Sequence, residues 1–228
     1  MGSEVHFDST RPGAWQGLFV HAQALMDDMC AHIRPDAFWT FGGGTVLMLR
    51  HGHRLSKDID LFVPDPQYLG FVNPRLSDFA ADLCRDYVEA AEFIKLVRAE
   101  GEIDIVTGPN LTANAWTVET INGKPVRVET DVEIVAKKMW HRGNRATARD
   151  LFDLVLVIRS SPAALRLESR WLVRHRDEFL AQLVGRRNVL RAQFEAIDAL
   201  KPMPDFGGCV EEAQAFLSGL PPKRDGPH

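Results

Sequence analysis

Two aspartates one residue apart, Asp58 and Asp60, are the side chains whose type and spacing point most directly to chemistry. They flank Ile59 in a strand-like run with Leu61 and Phe62, so a period of two puts both carboxylates on one face. Neighbouring carboxylates repel unless a cation lies between them. A hard divalent ion with oxygen ligands, Mg2+ in most such sites and Mn2+ as an alternative, meets that need. About a dozen residues upstream, Gly42, Gly43 and Gly44 follow the apolar run Phe38, Trp39 and Phe41, which reads as a strand ending at a sharp bend. Thr45 is expected to N-cap a short apolar helix carrying Val46, Leu47 and Leu49. Free amides at such a helix start form an anion site, and glycines let a phosphate approach the backbone.

A phosphate cradle followed by a two-carboxylate clamp is the front half of a nucleotide-transfer site. Gly43, Gly44 and Thr45, then Arg54, Ser56, Asp58, Ile59, Asp60, Leu61 and Phe62, resemble the polymerase-beta-like nucleotidyltransferases. Within that fold the match is to the AbiEii/AbiGii toxin branch, to which the MenT toxins are related. The resemblance implies an α/β (α+β) fold, with a mixed sheet of about five strands, flanking helices and a C-terminal helical domain. It implies Mg2+-dependent transfer of a nucleoside monophosphate from an NTP to a hydroxyl. The biological role it implies is the toxin of a bacterial toxin–antitoxin system, acting on tRNA or other RNA beside a cognate antitoxin.

The resemblance also assigns roles. Asp58 and Asp60 hold metal, and a neighbouring strand supplies a third carboxylate, for which Asp104 in the strand 102–106 is the candidate metal ligand or base. Gly43, Gly44, Thr45, Arg54 and Ser56 bind the nucleotide phosphates. A later block, Glu133 to Met139 and then Arg149 to Leu154, resembles the family's lysine and its RD-x-x-D-L helix. From it Lys138 carries over as a phosphate contact and Asp150 as an active-site carboxylate, with Asp153 structural. Thr45 stands where many relatives have serine, and the hydroxyl is kept.

The whole chain is compatible with this. At 228 residues, 45% hydrophobic and 25% charged, it can bury one large core or two modest ones. No apolar run approaches the roughly 20 residues needed to span a bilayer, and the first residues lack a basic and apolar leader, so a cytoplasmic protein is expected. Three isolated cysteines argue against a disulfide framework or a zinc site. A formal charge of −4 gives no global attraction to nucleic acid, so any RNA contact must be a local basic patch.

The elements that position these residues follow from periodicity. An amphipathic helix is predicted over 14–33, another over 76–88, strands over 93–97 and 102–106, and a hairpin around Asn122 and Gly123. Residues 1–130 form the transferase core, 131–220 a helical domain completing the nucleotide pocket, and 221–228 a disordered tail. In the helix from Asp131, Lys138 falls inside the apolar arc, while Lys137 falls outside it as a surface partner of Glu133. The next helix is apolar nearly all round, so Asp150 and Asp153 need cations, which Lys138, Arg142, Arg145 and Arg149 can supply. His51 and His53 lack a third ligand for a metal. Arginines between Arg166 and Arg191 form either an RNA-tracking face or an ordinary solvated one. Two other functions remain open: small-molecule, aminoglycoside-type nucleotidyl transfer, and an inactive transferase fold used as a binding module.

Overall fold

The computed structural model describes residues 6–222, so most of the tail expected to be disordered lies outside the described residues. The chain divides into two compact units. Of the described residues, one unit holds those up to Asn110 together with Trp116–Glu129; the other holds Leu111–Ala115 and those from Thr130 onward.

The first unit is built on a seven-stranded mixed sheet. Its strands are β1 (Thr40–Gly42), β2 (Ile59–Val63), β3 (Asp86–Ala90), β4 (Phe93–Val97), β5 (Glu102–Thr107), β6 (Trp116–Ile121) and β7 (Lys124–Glu129), in the order β3-β4-β5-β2-β1-β7-β6. β2 pairs with β5 and β1 with β7 in parallel; the other neighbours are antiparallel. Alternation assigns the faces. Ile59, Leu61, Val63, Ile94, Leu96, Ile103 and Ile105 are buried on one face, and α1 (Ala14–Ile33) packs against β2 and β5. Trp15, Leu18, Phe19, Ala22, Leu25, Met26 and Met29 of α1 are all buried, as helical spacing predicts. Phe19 meets Phe41 with ring centroids 4.8 Å apart.

Seven strands stand where about five were expected, and one predicted helix is present only in part. The helix predicted over 76–88 is only α3 (Asp78–Leu83), N-capped by Ser77, and Tyr87 belongs to β3. β3 pairs residue for residue with β4, from Asp86 opposite Val97 to Ala90 opposite Phe93. A hairpin ladder with the very next strand outweighs local helical periodicity there. The predicted hairpin is present, with Asn122 at φ 51° and Gly123 at φ 73° between β6 and β7, as a type I′ turn demands.

The second unit is helical: α4 (Asp131–Arg142), α5 (Ala148–Ser160), α6 (Pro162–Leu167), α7 (Ser169–Leu172), α8 (Arg176–Gly185), α9 (Arg187–Glu195) and α10 (Phe206–Ser218). The Thr130 hydroxyl accepts the Glu133 amide to cap α4. In α4 one of the two lysines departs from expectation. Lys137 is buried, its ammonium 3.5 Å from Glu133, which is itself fully buried. The cause is the segment Leu111–Ala115, whose Leu111 and Thr112 amides and Thr112 hydroxyl all donate to the Glu133 carboxylate. A helix face that looks solvated in sequence is covered by a distant loop.

Removing the Glu133 carboxylate takes an acidic partner from a buried lysine and the acceptor from two amides and a hydroxyl. Glu133→Ala is therefore expected to lower the unfolding free energy by about 3–5 kcal/mol, read by denaturant unfolding. Wild-type stability in that variant removes Glu133 as the pin between this loop and α4.

Candidate active site

The site is assembled by register. Gly42 of β1 lies opposite Asp60 of β2, Asp60 is level with Asp104 of β5, and Asp104 faces Lys95 of β4. These four residues form one row on the sheet face opposite the buried isoleucines. Asp60 and Asp104 are thus lateral neighbours on adjacent strands. Burial pushes the Asp104 carboxyl up to about 7, with the Asp60 charge next in importance and Lys95 working against both. Its Oδ1 is buried without a hydrogen-bond donor, and the Lys95 ammonium stands 3.5 Å away. Lys95 also pairs with Glu102. Burial works to lower the Lys95 ammonium, but its two acidic neighbours hold it above the ordinary lysine value.

The glycine bend closes on this pair. α2 (Gly43–His51) starts at Gly43, with Gly42 as its N-cap, three residues before the cap expected at Thr45. Gly43 adopts φ +75°, and a Cβ there would stand 1.8 Å from Asp60 Oδ2. Only a residue without a side chain allows the helix start and the carboxylate to touch. Thr45 is not the cap. Fully buried, its hydroxyl donates to the Asp58 carbonyl at 2.6 Å and lies 3.0 Å from Ser56 Oγ. It ties the glycine bend to the start of β2. Arg54 is buried with its guanidinium over Gly44, 2.5 Å from where a Cβ would be, and Ser56 is 3.2 Å from the same point.

Asp58, expected to join Asp60 and Asp104 around a metal, accepts the Glu102 amide at Oδ1, 3.0 Å away. Among the described residues no group of three or more His, Cys, Asp or Glu side chains is gathered to hold an ion, His51 and His53 included. The convergence is of two carboxylates, because the first residue of the motif precedes the ladder and caps the start of β5. The pair still suits a hard cation. Two lateral carboxylates with a buried oxygen lacking a donor are the environment a divalent ion relieves.

Sequence reasoning missed Lys95 and Glu129. Lys95 was legible, since pairing 93–97 with 102–106 across the turn at Gly101 puts Lys95 opposite Asp104. Glu129 ends β7, fully buried, and accepts the Thr40 hydroxyl at 2.9 Å. Its Oε2 is 2.2 Å from where a Gly42 Cβ would be. No local pattern announced it.

In the helical unit, Lys138 bonds Asp153 at 2.5 Å and Asp150 at 3.2 Å, and Arg142 bonds Asp150 at 2.6 Å. Asp150 and Thr147 also form the capping box that starts α5. Burial alone would raise the Asp150 carboxyl, but Lys138, Arg142 and the Thr147 hydroxyl hold it below the ordinary range. The arginines expected to share one face are spread from α6 to α9, and five of them lie over four different rings. Arg166 lies over Phe216, Arg170 over Trp171, Arg174 over Trp140, and Arg187 and Arg191 over Phe206.

A family model described as the nucleotidyl transferase AbiEii toxin of type IV toxin–antitoxin systems matches residues 24–222. The chain belongs to the AbiEii nucleotidyltransferase toxin family. Among solved structures it is similar to a candidate nucleotidyltransferase from H. pylori, at 17% identity and TM-score 0.46, covering 89% of this chain and 95% of that one. It is also similar to JHP933 from Helicobacter pylori, at 17% identity and TM-score 0.45, covering 88% and 92%. Among curated proteins none matches. AbiEii family membership makes the chain a nucleotidyltransferase and implies a cognate antitoxin. Among the described residues no helix is long and apolar enough to cross a membrane.

A carboxyl with a raised native value destabilises the fold as pH rises. Between the unfolded value of 3.8 and the native value of about 7, the folded chain binds more protons than the unfolded one. Stability from this group therefore falls across that window and the penalty is complete above it. Asp104→Asn is expected to be more stable than wild type at pH 8 by roughly 2–4 kcal/mol, with the gain vanishing near pH 4. Mg2+ should raise the wild-type melting temperature more at pH 8 than at pH 5. A pH-independent difference between the two proteins overturns the raised Asp104 carboxyl.

Proposed function

We propose that the chain transfers a nucleoside monophosphate from an NTP to an RNA hydroxyl, with tRNA as the acceptor the family role favours. The observation that supports this most is the Asp60–Asp104 pair set against the bare backbone of Gly43. A triphosphate brings negative charge to this point, where α2 offers free amides and Arg54 a guanidinium. Asp60 and Asp104, with Asp58 adjoining, would hold Mg2+ or Mn2+, which supplies neutralisation of the charge on the reacting phosphates.

The chain's own residues do the rest. Gly43 and Gly44 let the phosphates reach the amides of α2, and Arg54 and Ser56 border that space. Asp104 would either share the ion or, left outside it with its carboxyl at about 7, take the proton of the attacking hydroxyl near neutral pH. The new bond joins the acceptor oxygen to the α-phosphorus. The bond from that phosphorus to its bridging oxygen breaks, and pyrophosphate leaves. Thr45 holds the bend to β2 in place of the direct phosphate contact expected of it. Lys138 as a phosphate contact and Asp150 as a positioning carboxylate enter this reading through the family's later motif.

Incubation with each labelled NTP, Mg2+ and total tRNA is expected to label RNA. Asp60→Ala should lower that labelling by at least about a thousandfold while unfolding remains cooperative. Retained labelling in Asp60→Ala removes the site assignment. Label on a small hydroxyl compound in place of RNA supports aminoglycoside-type transfer, and no turnover of any NTP supports an inactive binding module.

A further inference from the structure

We infer that single-stranded RNA docks on a platform made by Phe38, Trp116 and Arg127, on the sheet face that carries Asp60 and Asp104. The inference rests on the reading above, in which a polynucleotide hydroxyl is the acceptor.

Arg127 alternates in β7 with buried Val126 and Val128, so its side chain leaves on the face opposite them. There the guanidinium lies 5.0 Å from the Phe38 ring centroid and 5.7 Å from that of Trp116. The two rings meet edge to face at 6.1 Å. Arg127 makes no ion pair with a carboxylate among the described residues, so its charge is held by π-faces alone. Trp116 is 37% exposed and Val118, opposite Arg127, is 58% exposed. An accessible indole beside a fixed guanidinium without a counter-ion is the equipment that takes single-stranded nucleic acid, base on ring and phosphate on cation. A duplex, whose base faces are already stacked, cannot use the ring.

Register ties this platform to the carboxylates. Trp116 lies opposite Glu129, and Phe41 is level with Val128, which puts Glu129 level with Gly42, itself opposite Asp60. Trp116 therefore stands on the same face and at the same level as Asp60, three strands away. At the usual strand spacing that is about 14 Å, a span of a few nucleotides. The neighbouring cleft of about 480 Å³, bordered by Trp39, Lys124 and Arg127, is a poorer choice for a polyanion. It carries Asp27 and Asp36, with Asp27 closing on Lys124 at 2.6 Å and Asp36 on Arg34 at 3.5 Å.

The test is binding of a short fluorescein-labelled single-stranded RNA, followed by anisotropy without NTP, against the same sequence as a blunt duplex. Wild type is expected to favour the single strand, and Trp116→Ala to weaken it by about tenfold. Trp116→Phe should retain most of the affinity, and Arg127→Gln should weaken binding and flatten its salt dependence. Equal affinity in wild type and Trp116→Ala, or a preference for duplex, overturns the platform. Labelling of tRNA by wild type is scored separately. Single-strand binding without RNA labelling sinks the transferase reading and keeps the platform, whereas labelling that is indifferent to Trp116 and Arg127 does the reverse.

Discussion

Everything on the sheet's polar face is arranged around the contact between Gly43 and the Asp60 carboxylate. The β2–β5 ladder forces Asp60 and Asp104 side by side, and neither can move away without breaking the register that buries Ile59, Leu61, Ile103 and Ile105 behind them. The repulsion is therefore built in by packing on the opposite face. Lys95 relieves part of it from β4, and Glu102 in turn takes part of Lys95. The Asp60 carboxylate lies against the bare backbone at the start of α2, and any Cβ at Gly43 would abolish that closeness.

Thr45 shows how the two halves of the motif are kept in step. Its hydroxyl reaches the Asp58 carbonyl, so the bend after β1 and the entry to β2 move as one piece. Asp58 makes a second tie through the Glu102 amide, joining the entry of β2 to that of β5. Two residues of a motif read as ligand-binding thus act partly on the protein's own backbone. A binding site whose charges repel needs such ties, because the free energy gained by spreading the carboxylates would otherwise distort it.

What could be read from sequence was what depends on near neighbours along the chain. The apolar stripe of α1, the Asn122–Gly123 turn and the buried α5 with its two aspartates all follow from local period or turn chemistry. The failures come from pairings that local period does not show. Residues 84–88 lie in the stretch predicted as helix, but β3 closes a hairpin with β4 two residues further on. Lys137 sits on what should be a wet face, but Leu111 and Thr112 arrive from far away in the chain to bury its partner. Glu129 has no local signal at all, since its role comes from lying beside Gly42 across a parallel pairing. Lys95 is the intermediate case, obtainable by counting residues back from a turn.

The same distinction governs the arginines. Composition suggested that a cluster between Arg166 and Arg191 could form a track for a polyanion, yet helix breaks send these residues to different helices and different rings. A guanidinium lying flat on a ring keeps its charge but gains a fixed direction, so positive charge is distributed by aromatic positions more than by arginine count. With a formal charge of −4 on the whole chain, long-range attraction contributes little to nucleic-acid capture. Recognition of a polynucleotide by such a molecule must then rest on short-range contacts, where ring faces matter as much as cations. Arg127 between Phe38 and Trp116 satisfies that condition on the face where the carboxylates lie, and this is why placement, not the number of basic residues, indicates where an acceptor strand would rest.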